Sequence, residues 1–296
     1  MNQFMHDISW VVPLRNDFLT PVFQFFTWLG YPTFMMLLLA LGYWLWDKKK
    51  ITKVAIIVVI STVINAFLKD LWENPRPDLL FRLDNEVGKS FGMPSGHAQV
   101  SATLWFWVAY EVRRIWAWIA ASIIVIGICF SRIYLGIHDV EDILAGLLIA
   151  LFILVAYRFA LSATYRLLTP TPIWLILCII VVAGVITRVV WPPAENSIGA
   201  IVVFGVLFGW VFGRNLEPGL VGFKPRSSPW NIALIALLGV AGLMGLLAAA
   251  ALMLKGFEPL IEGTIRSTLI GFYMTLVAPL LFRLCRLHVS EPLAER

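Results

Sequence analysis

Charged residues are scarce in this sequence, and their scarcity excludes most soluble folds. Only 14% of the 296 residues are charged, whereas 60% are hydrophobic, and the mean hydropathy is +0.84. Ordinary soluble domains contain about 25% charged residues. Uncharged apolar runs long enough to cross about 30 Å of hydrocarbon recur along the whole chain. These runs require a lipid bilayer as their solvent, and helices satisfy backbone polar groups inside it.

Cysteines and clustered metal ligands are also few. The three cysteines, Cys129, Cys178 and Cys285, lie within or at the end of apolar runs without paired spacing. This pattern argues against a disulfide framework and against a zinc site. The sequence also has no obvious cluster of carboxylates that could hold a pair of metal ions, and no cofactor is expected. Residues 1–10 lack the basic start of a cleaved signal peptide, so we expect the N-terminus to remain in the mature chain.

The apolar runs predict an all-α integral membrane protein with about nine transmembrane helices. Their approximate limits are 29–46, 52–71, 97–112, 116–132, 138–157, 173–191, 197–213, 230–254 and 263–282. Pro21 and Pro32 interrupt the first run. Residues 18–29 are therefore either part of the first span or an interfacial helix that leads into it.

Basic residues between the predicted spans set the orientation. If the first basic segment is cytoplasmic, strict alternation places four further basic segments on the same side. That first segment contains Lys48, Lys49, Lys50 and Lys53. Most of the 23 Lys and Arg residues then lie inside, so the net charge of +5 requires no nucleic acid partner. The sequence thus predicts an N-terminus outside and a C-terminus in the cytoplasm.

Most of the polar residues that a membrane protein should avoid lie in three short stretches. These stretches are Lys69 to Arg76-Pro77, then Pro94-Ser95-Gly96-His97, then Ser131-Arg132 followed by His138 and Asp142. In the predicted topology, each stretch lies at the outer end of one or two spans. Groups that are far apart in sequence therefore converge on one site, and ionisable groups at span ends suggest function.

The cations of these stretches suit a phosphate group. Any one of Lys69, Arg76 and Arg132 alone could be snorkelling toward lipid head groups. Together, two guanidinium groups and an ammonium match a tetrahedral oxyanion. Ser95 and Gly96 precede a helical run, so a hydroxyl and free backbone N–H groups can complete the cradle.

His138 and Asp142 have the spacing of a nucleophile and its orienting carboxylate. Their i, i+4 spacing places both side chains on one helical face. The carboxylate can hold one ring nitrogen as a donor and leave the other as a nucleophile. His97 comes from another helix and is free to protonate the leaving oxygen. His6 and His288, in terminal segments without charged partners nearby in sequence, are interpreted as incidental.

The three stretches resemble the signature of the type-2 phosphatidic acid phosphatase and vanadium haloperoxidase superfamily. Its pattern is K-x6-R-P, P-S-G-H and S-R-x5-H-x3-D, and this sequence matches it fully. The resemblance implies that His138 attacks phosphorus, Asp142 orients it and His97 protonates the leaving group. It also implies that the phosphoryl oxygens are held without a metal by Lys69, Arg76, Ser95, Gly96 and Arg132.

Residues 1–161 are predicted to form this phosphatase core, whose motifs lie within 69–142. Residues 162–296 contain four additional spans that the motifs do not explain. Gly205, Gly209 and Gly213 repeat with G-x-x-x-G spacing. Packing between helices is the favoured interpretation of this repeat, and a homodimer contact is the weaker one.

The resulting hypothesis is a phosphatase of the cell (inner) membrane whose active site faces the periplasm or exterior. Its substrate would be a lipid phosphate or pyrophosphate, such as undecaprenyl pyrophosphate, phosphatidylglycerol phosphate, phosphatidic acid, a lipid A phosphate or a sphingoid-base phosphate. Two alternatives stay open. The phosphohistidine could pass its phosphate to a second lipid, or the chain could be a lipid transporter or flippase.

Overall fold

The computed structural model describes residues 5–84, 90–167, 172–192, 197–225 and 228–288 of the chain. Within these ranges the secondary structure is helical, without strands, and only an isolated bridge joins Pro225 and His288. The helices are α1 (Leu19–Trp28), α2 (Pro32–Leu45), α3 (Lys48–Trp72), α4 (Gly96–Val112), α5 (Ile115–Tyr134), α6 (Val140–Leu167), α7 (Ile173–Val190), α8 (Ser197–Leu220), α9 (Pro229–Met253), α10 (Pro259–Phe272) and α11 (Ala278–Leu284). A π-helical turn, Tyr273–Val277, joins α10 to α11, and 3₁₀ turns lie at Ser9–Leu14 and Leu79–Phe81. The all-helical prediction is confirmed for the described residues.

The described residues include 7 helices that are long and apolar enough to span a membrane, or 8 if α1 and α2 count as one bent span. These two helices meet at 58°. α4 was also predicted to be a span, but it has only 17 residues and contains buried Gln99, Ser101 and Thr103. The number nine and the orientation therefore stay predictions.

The chain divides into two compact units. The first contains Met1–Met36, Lys53–Thr169 and Trp191–Ala200, and the second contains Leu37–Thr52, Pro170–Val190 and Ile201–Arg296. Every predicted site residue belongs to the first unit. The division at residue 161 into a catalytic core and an additional region stays a proposal.

A ladder of buried polar side chains fixes α3 against α4 in the first unit. Asn65 Nδ2 donates to Gln99 Oε1 at 2.9 Å, and Gln99 Nε2 donates to the Ser61 carbonyl at 3.0 Å. The hydroxyls of Ser61 and Thr103 are 3.1 Å apart. Because these buried groups satisfy one another, the two helices have a defined register. That register places Lys69, near the end of α3, and His97, at the start of α4, at the same end of the unit.

Glycines on α8 allow close helix packing within the second unit. A Cβ atom at Gly209 would lie 2.0 Å from the Thr268 carbonyl oxygen, and one at Gly213 would lie 2.3 Å from Thr275 Oγ1. Gly205 approaches the Ser267 hydroxyl in the same way. This face of α8 is therefore occupied by the chain's own α10 and π-helical turn. A homodimer through the same glycines would have to displace them.

Candidate active site

His138 lies in the loop between α5 and α6, and Asp142 lies in the first turn of α6. His138 Nδ1 is 2.7 Å from Asp142 Oδ2, and both residues are buried, with 2% and 1% exposure. On the other side of the ring, Arg76 Nη1 is 3.2 Å from His138 Nε2. A guanidinium can only donate, so Nε2 must accept and the ring proton must lie on Nδ1. The imidazole thus directs a lone pair at Arg76 and an N–H group at Asp142.

Backbone contacts fix this loop. The N–H groups of Ile137 and His138 donate to the carbonyl of Arg132 at 3.0 and 3.3 Å. Asp139 Oδ1 accepts the N–H of Asp142 at 2.9 Å and so caps the start of α6. His138 is therefore positioned by its backbone as well as by its side chain.

Lys69 and Arg76 are anchored to the segment that precedes α4. Lys69 Nζ donates to the carbonyl of Phe91 and, at 2.7 Å, to that of Gly92. Arg76 Nε donates to the Ser90 carbonyl at 2.7 Å, and its Nη2 donates to the Ser90 hydroxyl at 2.8 Å. These bonds orient both cations before any ligand binds.

Arg132 is held by residues far away in sequence. Its Nη1 donates to the hydroxyl of Thr27, at the end of α1, and lies 3.4 Å from Asp84 Oδ2. Asp84 Oδ2 also accepts the hydroxyl of Tyr31 at 2.9 Å. Residues at the break between α1 and α2 thus help to hold Arg132 in place.

The three cations act together on His138. Burial, followed by the charges of Lys69, Arg76 and Arg132, holds the pKa of His138 well below its usual value. Burial and the charge of Arg132 lower the pKa of Arg76 to about 10, so Arg76 is still cationic at neutral pH. Near neutral pH the site therefore combines a neutral imidazole with positive charge around it.

Two buried polar atoms in the site have no hydrogen-bond partner among the described residues, namely Arg132 Nε and His97 Nε2. The His97 ring is fixed by packing, because Tyr31 makes an edge contact with it at 5.0 Å between ring centroids. A Cβ atom at Gly30 would lie 2.5 Å from His97 Cδ2. Native proteins rarely leave buried polar atoms unsatisfied. Two such atoms beside a cation cluster favour an anionic guest.

Ser95 and Gly96 have local structural roles in this structure. Ser95 is fully buried, and its hydroxyl accepts the N–H of Ala98 at 3.5 Å as the N-cap of α4. A Cβ atom at Gly96 would lie 2.9 Å from Asn65 Oδ1, so close packing there requires glycine. The predicted phosphate contacts of these two residues stay proposals.

The interpretation of His6 as incidental was wrong. Its Nδ1 lies 2.7 Å from Asp139 Oδ2, and its Nε2 lies 2.9 Å from Glu141 Oε2. Arg15, from the same N-terminal segment, donates to the carbonyl of Tyr134. No local pattern could have revealed these contacts, because the partners are more than a hundred residues away.

The residues that hold Arg76 and Arg132 in place were also not predicted from the sequence, because an isolated polar residue forms no motif. These residues are Thr27, Tyr31, Asp84 and Ser90.

The chain is similar to several known proteins. Residues 50–166 match the PAP2 superfamily, and residues 201–291 match the family described as PAP2 superfamily phosphatase, transmembrane extension. Sphingosine-1-phosphate phosphatase 2 of Mus musculus is 28% identical over 177 residues, which are 57% of this chain and 50% of that protein. Phosphatidylglycerophosphatase B of Bacillus subtilis is 26% identical over 155 residues, which are 48% of this chain and 75% of that protein.

This chain spans about half the length of the sphingosine-1-phosphate phosphatase that it matches. Among solved structures, a transmembrane PAP2-type phosphatidylglycerolphosphate phosphatase from Bacillus subtilis is similar with a TM-score of 0.47 and 24% identity. That match covers 54% of this chain and 85% of the solved one.

Proposed function

This chain belongs to the PAP2 superfamily, and from that membership we propose that it is a membrane phosphatase that hydrolyses a lipid phosphate or pyrophosphate. One observation carries the proposal. The lone pair of His138 Nε2 faces Arg76 Nη1 at 3.2 Å, and the charges of the buried Lys69 and Arg132 also act on this imidazole. Arg132 Nε and His97 Nε2 have no partner among the described residues. Such a site suits a phosphoryl group and an attack on its phosphorus.

The proposed reaction has two steps. Phosphate oxygens bind Lys69, Arg76 and Arg132, and one of them replaces His138 as a partner of Arg76. His138 Nε2 then attacks phosphorus, the bond from phosphorus to the leaving oxygen breaks, and His97 gives that oxygen a proton. In the second step the oxygen of a water molecule attacks phosphorus, and His97 takes one proton of the water. The bond from phosphorus to His138 Nε2 breaks, which restores the lone pair of Nε2 and releases inorganic phosphate.

The other predicted residues support these steps. Asp142 stabilises the positive charge that develops on the imidazole during the attack. Ser95 and Gly96 complete the cradle from the start of α4. The chemistry needs no metal and no cofactor, because the fixed cations provide the charge stabilisation that a metal ion could supply.

The phosphate cradle does not identify the lipid tail of the substrate. The relatives described above are named for sphingosine 1-phosphate and phosphatidylglycerophosphate, and a lipid phosphate is therefore the proposed substrate class. The proposed location is the cell (inner) membrane with the site facing the periplasm or exterior, as the basic loops predict. The proposed partners are thus membrane lipids.

The proposal is tested by phosphate release from purified protein in detergent with EDTA. Sphingosine 1-phosphate, phosphatidic acid, phosphatidylglycerol phosphate and undecaprenyl pyrophosphate would be compared with glucose 6-phosphate. We expect release from at least one lipid, a loss of at least about 1,000-fold in His138→Ala, and normal release in the matched control His288→Ala. If no lipid releases phosphate, or if His138→Ala is as active as the wild type, the proposal is wrong.

A further inference from the structure

A second cationic pocket adjoins the phosphate cradle. It has a volume of about 410 Å³ and is open at the surface of the protein. Its lining includes Arg76, Asp78, Leu79, Arg82, Ser90 and Phe91. Arg76 belongs to both places, because its guanidinium also contacts His138. The pocket and the cradle therefore share Arg76, and Arg82 is a further cation that lines the pocket.

The backbone around Arg82 is fixed on both sides. The carbonyl of Phe81 accepts Arg15 Nη2 at 2.7 Å, and the N–H of Leu83 donates to the carbonyl of Leu135 at 2.9 Å. Gly136 has a φ of +72°, and a Cβ atom there would lie 1.9 Å from the Phe81 oxygen. Arg82 thus has a defined place next to the loop that carries His138.

Arg82 has no partner for its guanidinium among the described residues. Its Nε atom is buried without a hydrogen bond. Asp78 lines the same pocket but forms no ion pair with any described residue, and its Oδ1 accepts the N–H of Leu80 at 3.0 Å. By contrast, Arg76 already has protein partners on each of its nitrogens. A buried donor on a cation without an anionic partner favours an anionic ligand.

One exposed leucine, Leu79, lines this pocket, and a second, Leu80, follows it in the chain. Leu79 is 70% exposed and Leu80 is 88% exposed, and both belong to the 3₁₀ turn that precedes Arg82. In a membrane protein, exposed leucines of this kind are suited to contact with lipid chains. The pocket thus offers a cation next to apolar side chains, which is the pattern that an anionic lipid requires.

We infer that Arg82, which lines this pocket next to Arg76, binds a second phosphate of the lipid substrate, beyond the phosphate that His138 attacks. The preferred substrate would then be a lipid with two phosphate groups. The second group is either the inner phosphate of a lipid pyrophosphate or the phosphodiester of phosphatidylglycerol phosphate. This inference rests on the proposed function, because it assumes that the cradle holds the transferred phosphate.

The test compares Arg82→Gln with wild type on three lipids. The substrates are a polyprenyl monophosphate, the pyrophosphate of the same polyprenol, and phosphatidylglycerol phosphate. We expect kcat/KM in Arg82→Gln to fall by at least about tenfold on one or both of the two-phosphate lipids, mainly through KM, and to change less than twofold on the monophosphate. The lipid that loses activity identifies the source of the second phosphate. Arg82→Lys should recover part of the loss, because it keeps the charge.

Arg114→Gln is the matched control, since it removes an exposed arginine outside the pocket. Equal loss on all three lipids, or no loss on any, would overturn the inference. In either case, activity that still depends on His138 would leave the proposed function intact. A wild-type protein that releases phosphate from no lipid would refute the proposed function and this inference with it.

Discussion

The side chains around His138 fix the position of a proton. Asp142 accepts the Nδ1–H group, and Arg76 can only donate toward Nε2, so one tautomer satisfies both neighbours. That tautomer is the one that a nucleophilic Nε2 requires. The reactivity of His138 is thus expected to depend on the hydrogen-bonding character of residue 142 and on the neighbouring cations.

Asp142→Asn should lower kcat by about 10²- to 10⁴-fold with little change in KM. The amide of asparagine can donate to Nδ1, which moves the ring proton to Nε2 and removes the nucleophilic lone pair. Steady-state kinetics on the preferred lipid phosphate would measure the effect. Asp17→Asn, an exposed carboxylate far from the site in sequence, is the control. A kcat within twofold of wild type would contradict the orienting role.

Lys69→Met should move the acid limb of the kcat/KM profile to higher pH. Burial and then the nearby cations, Lys69 first, hold the pKa of His138 below its usual value. Activity is lost as pH falls through this pKa, because protonation removes the lone pair. Without Lys69 the pKa should rise toward about 6.5. A midpoint that stays in place or moves down would contradict this account, and Lys255→Met is the control.

The two segments that precede α2 support the active-site loop. The N-terminal segment inserts Ile8 and Val11 into a core cluster with Ala98 and Ile143, and His6 contacts Asp139. The break after α1 brings Tyr31 to His97. The motif residues could be predicted from sequence because their spacings match a family signature. These supporting contacts could not, since each joins distant residues through packing that no local pattern specifies.

The contact of His6 should stabilise the fold in a pH-dependent way. A hydrogen bond with Asp139, aided by the charges of Asp139 and Glu141, raises the pKa of His6. The stabilisation is therefore fully present below about pH 6.5 and is lost as pH rises through the raised pKa. His6→Ala should have a lower Tm than wild type near pH 6 and the same Tm near pH 9. An equal difference at both pH values, or the same pattern in His288→Ala, would argue against this role.

At the scale of the whole molecule, hydropathy and charge correctly predicted a helical membrane protein. The number of spans, by contrast, stays a prediction. α4 has only 17 residues, and its Gln99 and Thr103 side chains form the ladder with α3. Its apolar run was predicted to be a span, but its 17 residues are fewer than those of any of the 7 span-length helices. The bend between α1 and α2 adds a second ambiguity, since the two helices are one span or two segments depending on their depth.

The predicted orientation can be tested with single cysteines in a variant that lacks Cys129, Cys178 and Cys285. A cysteine at Lys255 should react with a membrane-impermeant maleimide in intact cells, because the basic loops place this residue outside. A cysteine at Lys49 should react only after permeabilisation. Both residues are exposed, so both are accessible to the reagent. The reverse pattern would invert the topology and put the active site on the cytoplasmic side.

Transfer of the phosphate to His138 can be measured in a rapid-quench experiment with a lipid phosphate labelled on the transferred phosphorus. We expect wild-type protein to acquire acid-labile, base-stable label during the first turnover. The label should map to His138, and His138→Ala should acquire none. Turnover without any protein-bound label, or label in His138→Ala equal to that of the wild type, would show that the phosphate does not pass through His138.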